Sequence, residues 1–347
     1  MNGRERTLAA IRGEPHDRVP VSQHNFWFAA RYAGLSMREF RSSPDKAAQA
    51  MADAAGDLGY DCIMTDFDTC TLAEAMGAEV EFPEDEPARV VRPAVRSLRE
   101  VPNLPLPDPN RDGRLPLWLE TTRRLRVKVG NELAIMGRAD QGPFGLLFLL
   151  RDSQQFLMDL LEEEEAVIAA ALEHCTRAGA AFARAQLDAG ADLTSIGDSA
   201  AGQSVVSPHV YRRFAQPFEK RYREELGGML SLHICGKTDQ IVLDMAATGA
   251  EVLELDHCNN LETAFAAIGS RACVFGNIDP SSVLMHGTPE LVIERSRQAI
   301  EAARRAEARF VLCPGCALGP HTPAANIAAM TEAARRFGNR DDAGNST

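Results

Sequence analysis

Residues suited to metal chemistry cluster in two short segments, His233-Ile234-Cys235 and Cys313-Pro314-Gly315-Cys316. The first closes an apolar run, Met229 to Cys235, that stops at Gly236. Residues two apart on a strand face the same side, so His233 and Cys235 present an imidazole and a thiol together. A thiol from a second strand end completes a soft nitrogen-and-sulfur set, the kind that selects zinc. Three protein ligands with an exchangeable fourth position describe a catalytic site, whereas four soft ligands describe a structural one. Cys316 is the favoured third ligand, with Cys313 a core neighbour at its strand end. A closed knuckle of His233, Cys235, Cys313 and Cys316 is the alternative, although in a barrel mouth it would hold nothing that the barrel does not. A redox Cys-x-x-Cys is disfavoured, because Gly319 to Pro323 delays the helix that such a pair should open. The pattern predicts zinc.

Ligands on separate strand ends need a frame that gathers strand ends. Eight short apolar runs alternate with helical patterns: 19–24, 60–66, 133–138, 193–198, 230–235, 252–256, 272–277 and 310–313. Each has the length and β-branched or aromatic content of a buried parallel strand. Helical periods fill the intervals 164–187, 208–226, 238–247 and 289–306. Thr238-Asp239 and Thr288-Pro289 read as start signals for the last two. Eight such units predict a (β/α)8 TIM barrel. An open doubly wound sheet is the runner-up, but no Gly-rich dinucleotide or Walker pattern follows any run. We expect one catalytic domain over 1–337, an elaborated loop at about 78–131 ahead of a helix at 115–129, and a polar tail over 338–347. The proline-rich loop has the length of a lid or binding loop.

Composition narrows the classes. The chain has 347 residues, 45% of them hydrophobic, enough for a sizeable core. A net charge of −12 without a basic stripe argues against nucleic-acid binding. The longest strongly apolar stretch, Leu146 to Leu150, is far too short to span a bilayer. Eight cysteines with no signal-peptide pattern near Met1 lead us to expect reduced thiols and a cytoplasmic protein. Cys62, Cys175 and Cys273 sit in apolar surroundings and read as small buried hydrophobes.

The strand ends also carry His24, Asp66, Asp140, Gln141, Asp198, Asp256, Asn277 and Asp279. Barrel active sites form at the carboxyl ends of the strands. Any strand leaving the core needs polar residues there, so His24, Asp66 and Asp140 read as rim structure. Asp198 and Asn277 carry two readings, anchors for a substrate or ties between rim loops. His321 reads as a solvated loop residue.

Several segments then match a family. They are Asp17-Arg18-Val19-Pro20-Val21, Glu74 to Val80, Gly142-Pro143-Phe144, Gly197 to Gly202, Gly276-Asn277-Ile278-Asp279-Pro280 and Gly315 to Pro323. With these the chain resembles the uroporphyrinogen decarboxylase superfamily, and within it the cobalamin-dependent methyltransferases. The resemblance implies a (β/α)8 barrel and zinc on His233, Cys235 and Cys316. It places Asp256, or with less support Glu254, in the fourth position, and makes Asp256, Asp198 and Asn277 the candidate catalytic residues. It also implies methylcobalamin carried by a partner corrinoid protein. The acceptor it implies is a small thiol of the coenzyme M or homocysteine kind, with tetrahydrofolate as the alternative. A decarboxylase is disfavoured, because the segment Trp27 to Gly34 offers only Arg31 where that branch has an arginine-rich clamp.

Overall fold

Alternate residues of a strand face opposite ways, and here that alternation sorts the apolar side chains into two separate cores. The computed structural model describes residues 1–339. Its main strands are β1 (Ser22–Gln23), β2 (Cys62–Thr65), β3 (Ala134–Gln141), β4 (Leu193–Gly197), β5 (Leu230–Ile234), β6 (Val252–Leu255), β7 (Cys273–Ile278) and β8 (Phe310–Pro314). Each pairs in parallel with the next. A parallel bridge between Val21 and Leu312 joins the last strand to the first, and Leu312 N–H donates to Pro20 O at 2.9 Å. The eight predicted runs are therefore the eight strands of a TIM-type barrel, not an open sheet.

Inward positions Cys62, Met64, Met136, Leu193, Phe275 and Val311 form an inner core with Ala10 and Ile11 of the helix Gly3–Arg12. Outward positions Ile63, Ile135, Ile196, Leu232, Leu253 and Leu312 join a larger core beneath the surrounding helices. Glu165–Asp188 is the longest of those helices, followed by Pro289–Arg305, with Pro44–Leu58, Leu115–Val129 and Ala324–Phe337 next. A run of tilted aromatic contacts, Phe40–Phe67–Trp118–Phe182, with ring centroids 5.4, 5.2 and 5.9 Å apart, ties the loop after β2 to two of them. No helix among the described residues is long and apolar enough to cross a membrane.

Thr288 caps its helix as predicted, accepting from Leu291 N–H at 3.3 Å, with Pro289 in the first turn. Thr238 does not. Its N–H and hydroxyl both donate to Asn259 Oδ1, at 2.7 and 2.9 Å, so it ties two rim loops and the helix there is only Val242–Ala246. The proline-rich stretch holds an antiparallel hairpin, Glu79–Glu81 with Arg89–Arg92, and the short turn Leu98–Asn103, none of them foreseen. Two strands of three and four residues carry too little alternation to show in a sequence. Phe82 lies under the guanidinium groups of Arg41 and Arg114, 5.6 and 4.7 Å from its centroid, which holds the hairpin to the barrel. The first two residues of the expected tail are tied to the barrel: Gly338 O accepts from Val19 N–H and Asn339 bridges Arg18. Its remainder, 340–347, lies outside the described residues.

The short β1 is held from below by charge. Asp61, buried, accepts from Arg6 Nη1 at 2.6 Å, Arg18 Nη1 at 2.7 Å and Val21 N–H at 2.9 Å. Removing that carboxylate leaves guanidinium groups without their shared partner. Asp61→Ala should cost roughly 3–5 kcal/mol in urea unfolding. An unchanged midpoint would show that the seam is held by the strand pairing alone.

Candidate metal centre

β5 ends by presenting Ser231 and His233 inward, and Cys235 follows on the same side before the chain turns at Gly236 (φ 78°). Cys316 arrives from the loop after β8. Gly315 makes that approach possible, since a Cβ there would collide with the backbone of Asp256 and His257. His233 Nε2 lies 2.8 Å from Cys235 Sγ, and Cys235 Sγ lies 3.3 Å from Cys316 Sγ. The three ligand atoms all fall within 4.8 Å of one another. His233 Nδ1 is 3.1 Å from Glu254 O. A carbonyl can only accept, so Nδ1 carries a proton and Nε2 is the nitrogen that faces the thiols.

The charges agree with this arrangement. The Cys316 contact, then the His233 imidazole, pull the Cys235 thiol far below its ordinary range, against burial. The same Cys235 contact pushes the Cys316 thiol up, so the two sulfurs share one proton. Burial lowers the His233 pKa, but the Cys235 thiolate outweighs it and raises the group to about 9. Without metal this leaves an imidazolium beside a thiolate. Once Nε2 gives up its proton, the imidazole and the two polarisable sulfurs, close together and partly open, are a fitting donor set for zinc.

Below the three lies a polar layer. Glu254 Oε1 accepts from Ser195 Oγ at 2.6 Å and Ser231 Oγ at 2.7 Å, and is buried among them. It belongs to the support of His233 and is not among the grouped ligand atoms. Cys313 is buried in the inner core, where burial drives its pKa well up. Asp256 stands outside the group of three. Its Oδ2 accepts from Gly236 N–H at 2.9 Å, and its Oδ1 accepts from Cys258 N–H at 3.1 Å and faces His257 Nδ1 at 2.7 Å. Asp256, His257 and Cys258 form a second, more exposed group of metal-type side chains.

Asn277 Nδ2 donates to the carbonyls of Asp256 and Asn259 at 3.2 and 2.9 Å, a tie between rim loops. Asp198 is wholly buried and caps the helix Pro143–Arg151, accepting from Phe144 and Gly145 N–H. Burial raises its pKa to about 7. Both side chains thus tie neighbouring segments of the rim together. His321 is exposed, as expected.

An open cavity of about 510 Å³ adjoins the three ligands. His24, Asp66 and Arg138 line it together with His233, Cys235 and Cys316. His24 Nε2 meets Asp66 Oδ2 at 2.6 Å, so the pair read from the sequence as rim structure faces the site. Arg138, inside the third apolar run, drew no attention in the sequence. A charged residue within an otherwise apolar run was the available signal. Pro87, from the unforeseen hairpin, forms part of the wall.

With that geometry in view, comparison with known proteins is informative. A family model described as uroporphyrinogen decarboxylase (URO-D) matches residues 2–337. The chain belongs to the uroporphyrinogen decarboxylase family. Within that family it is 28% identical to the methylcobamide:CoM methyltransferase MtbA of Methanosarcina acetivorans, over 96% of this chain and 98% of the relative. It is 30% identical to MtaA of Methanosarcina barkeri, over 94% and 96%. A uroporphyrinogen decarboxylase of Thermus thermophilus is 31% identical over 94% and 96%. A solved structure titled methyltransferase from Methanosarcina mazei superposes with a TM-score of 0.89 at 27% identity, covering 97% of this chain and 99% of that one. The chain is an enzyme of this family.

The shared proton should be visible in metal-free protein. Cys235 should alkylate with iodoacetamide at about pH 6 at least roughly tenfold faster than exposed Cys258, whose pKa is raised by burial and by Asp256. His233→Ala should remove the difference, read by peptide mass spectrometry. Equal rates at both cysteines would show that no thiolate is held there.

Proposed function

We propose that this enzyme moves a methyl group from a methylated corrinoid, carried by a partner protein, to a small thiol, with zinc held by His233, Cys235 and Cys316. The observation that carries this reading is the convergence of those three ligand atoms beside an open cavity. The relatives named for methylcobamide:CoM methyl transfer support it. Zinc bound to this set lowers the pKa of an added thiol and keeps it as thiolate at neutral pH.

The chain's own residues do the rest. Glu254 O fixes the ring of His233, so its Nε2 stays directed at the sulfurs. Ser199 Oγ, accepting from Cys235 N–H at 3.3 Å, holds the loop that carries the second ligand. Asp256 is engaged with Gly236, Cys258 and His257, so we infer that the fourth position belongs to the acceptor and not to this carboxylate. Phe26, Phe148, Leu149 and Val205 give the cavity an apolar wall that limits water around the acceptor sulfur. The acceptor would give its thiol proton to solvent, its sulfur would bond to the methyl carbon of the corrinoid substrate, and the carbon–cobalt bond would break with its electron pair left on cobalt. Such a displacement asks mainly for alignment of three atoms. The wide mouth suits a donor presented by a second protein.

Decarboxylation of a polycarboxylate fits this cavity poorly. Arg31 is exposed on the helix Phe26–Tyr32, and Arg138 is the one arginine in the cavity wall.

Purified without chelator, the protein should carry about one zinc per chain. Alanine at His233, Cys235 or Cys316 should lose the metal, and Cys313→Ala should keep it, by atomic absorption. The reverse pattern at Cys313 and Cys316 would overturn the ligand assignment. Methylcobalamin should be consumed with small thiols, and uroporphyrinogen should release no carbon dioxide above background. Consumption with tetrahydrofolate alone, and zinc X-ray absorption unchanged by every thiol, would replace the thiol acceptor with the folate one.

A further inference from the structure

Cys258 is the one exposed cysteine of the eight. Thiols usually pack inside, where they behave as small hydrophobes, and are reactive when left in water. Asp256 and His257 precede it in the loop after β6, and the three are the second group of metal-type side chains. That loop is held in shape. Asn259 N–H donates to Asp256 O at 3.0 Å, and Asn277 Nδ2 donates to the carbonyls of both residues.

The imidazole of His257 is oriented from one side. Its Nδ1 lies 2.7 Å from Asp256 Oδ1. A carboxylate accepts, so Nδ1 carries a proton and the lone pair of the neutral ring sits on Nε2. A carboxylate behind the ring is the usual support of a histidine that binds metal. Nε2 in turn faces one sulfur and one oxygen, with Cys258 Sγ and Asp279 Oδ2 each 3.7 Å away. Asp279 is anchored through its other oxygen, since Oδ1 accepts from Ser281 and Ser282 N–H at 2.8 and 2.9 Å. Its Oδ2 is left directed at the imidazole.

A separation of 3.7 Å is too long for a hydrogen bond between nitrogen and oxygen. Zinc bonds of about 2.0–2.3 Å set tetrahedral ligand atoms about 3.3–3.6 Å apart, close to what Nε2 shows on both sides. A cavity of about 520 Å³, lined in part by His257, Asn277 and Asp279, opens beside the group and leaves room for water. Lys237 is the cation that acts on Cys258, against the two carboxylates of Asp256 and Asp279.

We propose that His257 Nε2 and Cys258 Sγ, completed by Asp279 and water, bind a divalent cation of zinc's class at a second site on the barrel rim, with Asp256 orienting the imidazole. An imidazole and a thiol select zinc and its neighbours over magnesium or calcium. The site shares no ligand with His233, Cys235 and Cys316 and does not depend on methyl transfer. It has one sulfur where the first set has two, and it is more exposed, so it empties during purification and fills when the cation is added.

Zinc titration of chelator-stripped, full-length protein against a chromophoric chelator tests this. Two equivalents should bind, the second at least roughly tenfold more weakly. His257→Gln and Cys258→Ser, both at exposed side chains, should each lose the weaker equivalent and keep the tighter one. Cys235→Ala should do the opposite. Alkylation reads the same site directly: zinc should slow iodoacetamide modification of Cys258 roughly tenfold, magnesium should not, and His257→Gln should abolish the protection. A weaker equivalent that survives in both His257→Gln and Cys258→Ser, a single equivalent unaffected by either change, or Cys258 alkylation indifferent to zinc would overturn the assignment. A single equivalent lost in those two variants and retained in Cys235→Ala would keep this site and reject zinc at His233, Cys235 and Cys316.

Discussion

The contact between His233 Nδ1 and Glu254 O, at 3.1 Å, determines what the mouth of this barrel can do. It exists because β5 and β6 pair with His233 opposite Glu254. A slip of one residue would turn His233 outward and bring Leu232 or Ile234 into the mouth, since strand side chains alternate. The same register aims Ser231 at the Glu254 carboxylate. One pairing therefore sets the imidazole's tautomer, its direction and the charge beneath it. Cys235 then needs only two further residues of chain, and Cys316 needs only the close approach that Gly315 permits.

The barrel interior changes character along its axis, and that change separates stability from chemistry. At the amino end, Cys62, Leu193, Cys273 and Val311 pack with Ala10 and Ile11 in a dry core. At the next inward level, Arg138, Ser195, Ser231 and Glu254 replace apolar residues on four successive strands. Buried polar groups are tolerable when they satisfy one another, and the two serines do this for Glu254 from either side. Above them the thiols and the imidazole open to the cavity. Cys313 and Cys316 show the boundary at one strand end: the first, inside β8, belongs to the apolar level and the second, in the loop after it, to the open one.

Much of this was legible in the sequence because it depends on local periods. Eight apolar runs gave eight strands, and a two-residue spacing placed His233 and Cys235 on one face. The choice of Cys316 over Cys313 agrees with the grouping, because a cysteine inside an apolar run reads as core. Features made by distant segments were not legible. The resemblance implies Asp256 at the fourth metal position, and no sequence pattern shows the contacts that its oxygens make with Gly236 and His257. His24 and Asp66 stand 42 residues apart and meet only because β1 and β2 are neighbours. Arg138 hid within a run whose flanks are apolar. Asp198 and Thr238 carry polar side chains whose partners, Phe144, Gly145 and Asn259, lie on other loops.

Overall likeness does not separate the functions found in this family, since relatives named as methyltransferases and as decarboxylases match the chain almost equally. The dry inner core and its helical cover say little about which function a chain has, because packing alone requires them. The distinction has to come from a few inward positions above that core. Here those positions carry an imidazole, two sulfurs and one guanidinium, with Asp66 paired to His24. A polycarboxylate needs several cations spread over its width, and one guanidinium beside two thiols does not supply them. A choice between the two functions therefore has to rest on the spacing of charge in the cavity, more than on the sum of identities along the chain.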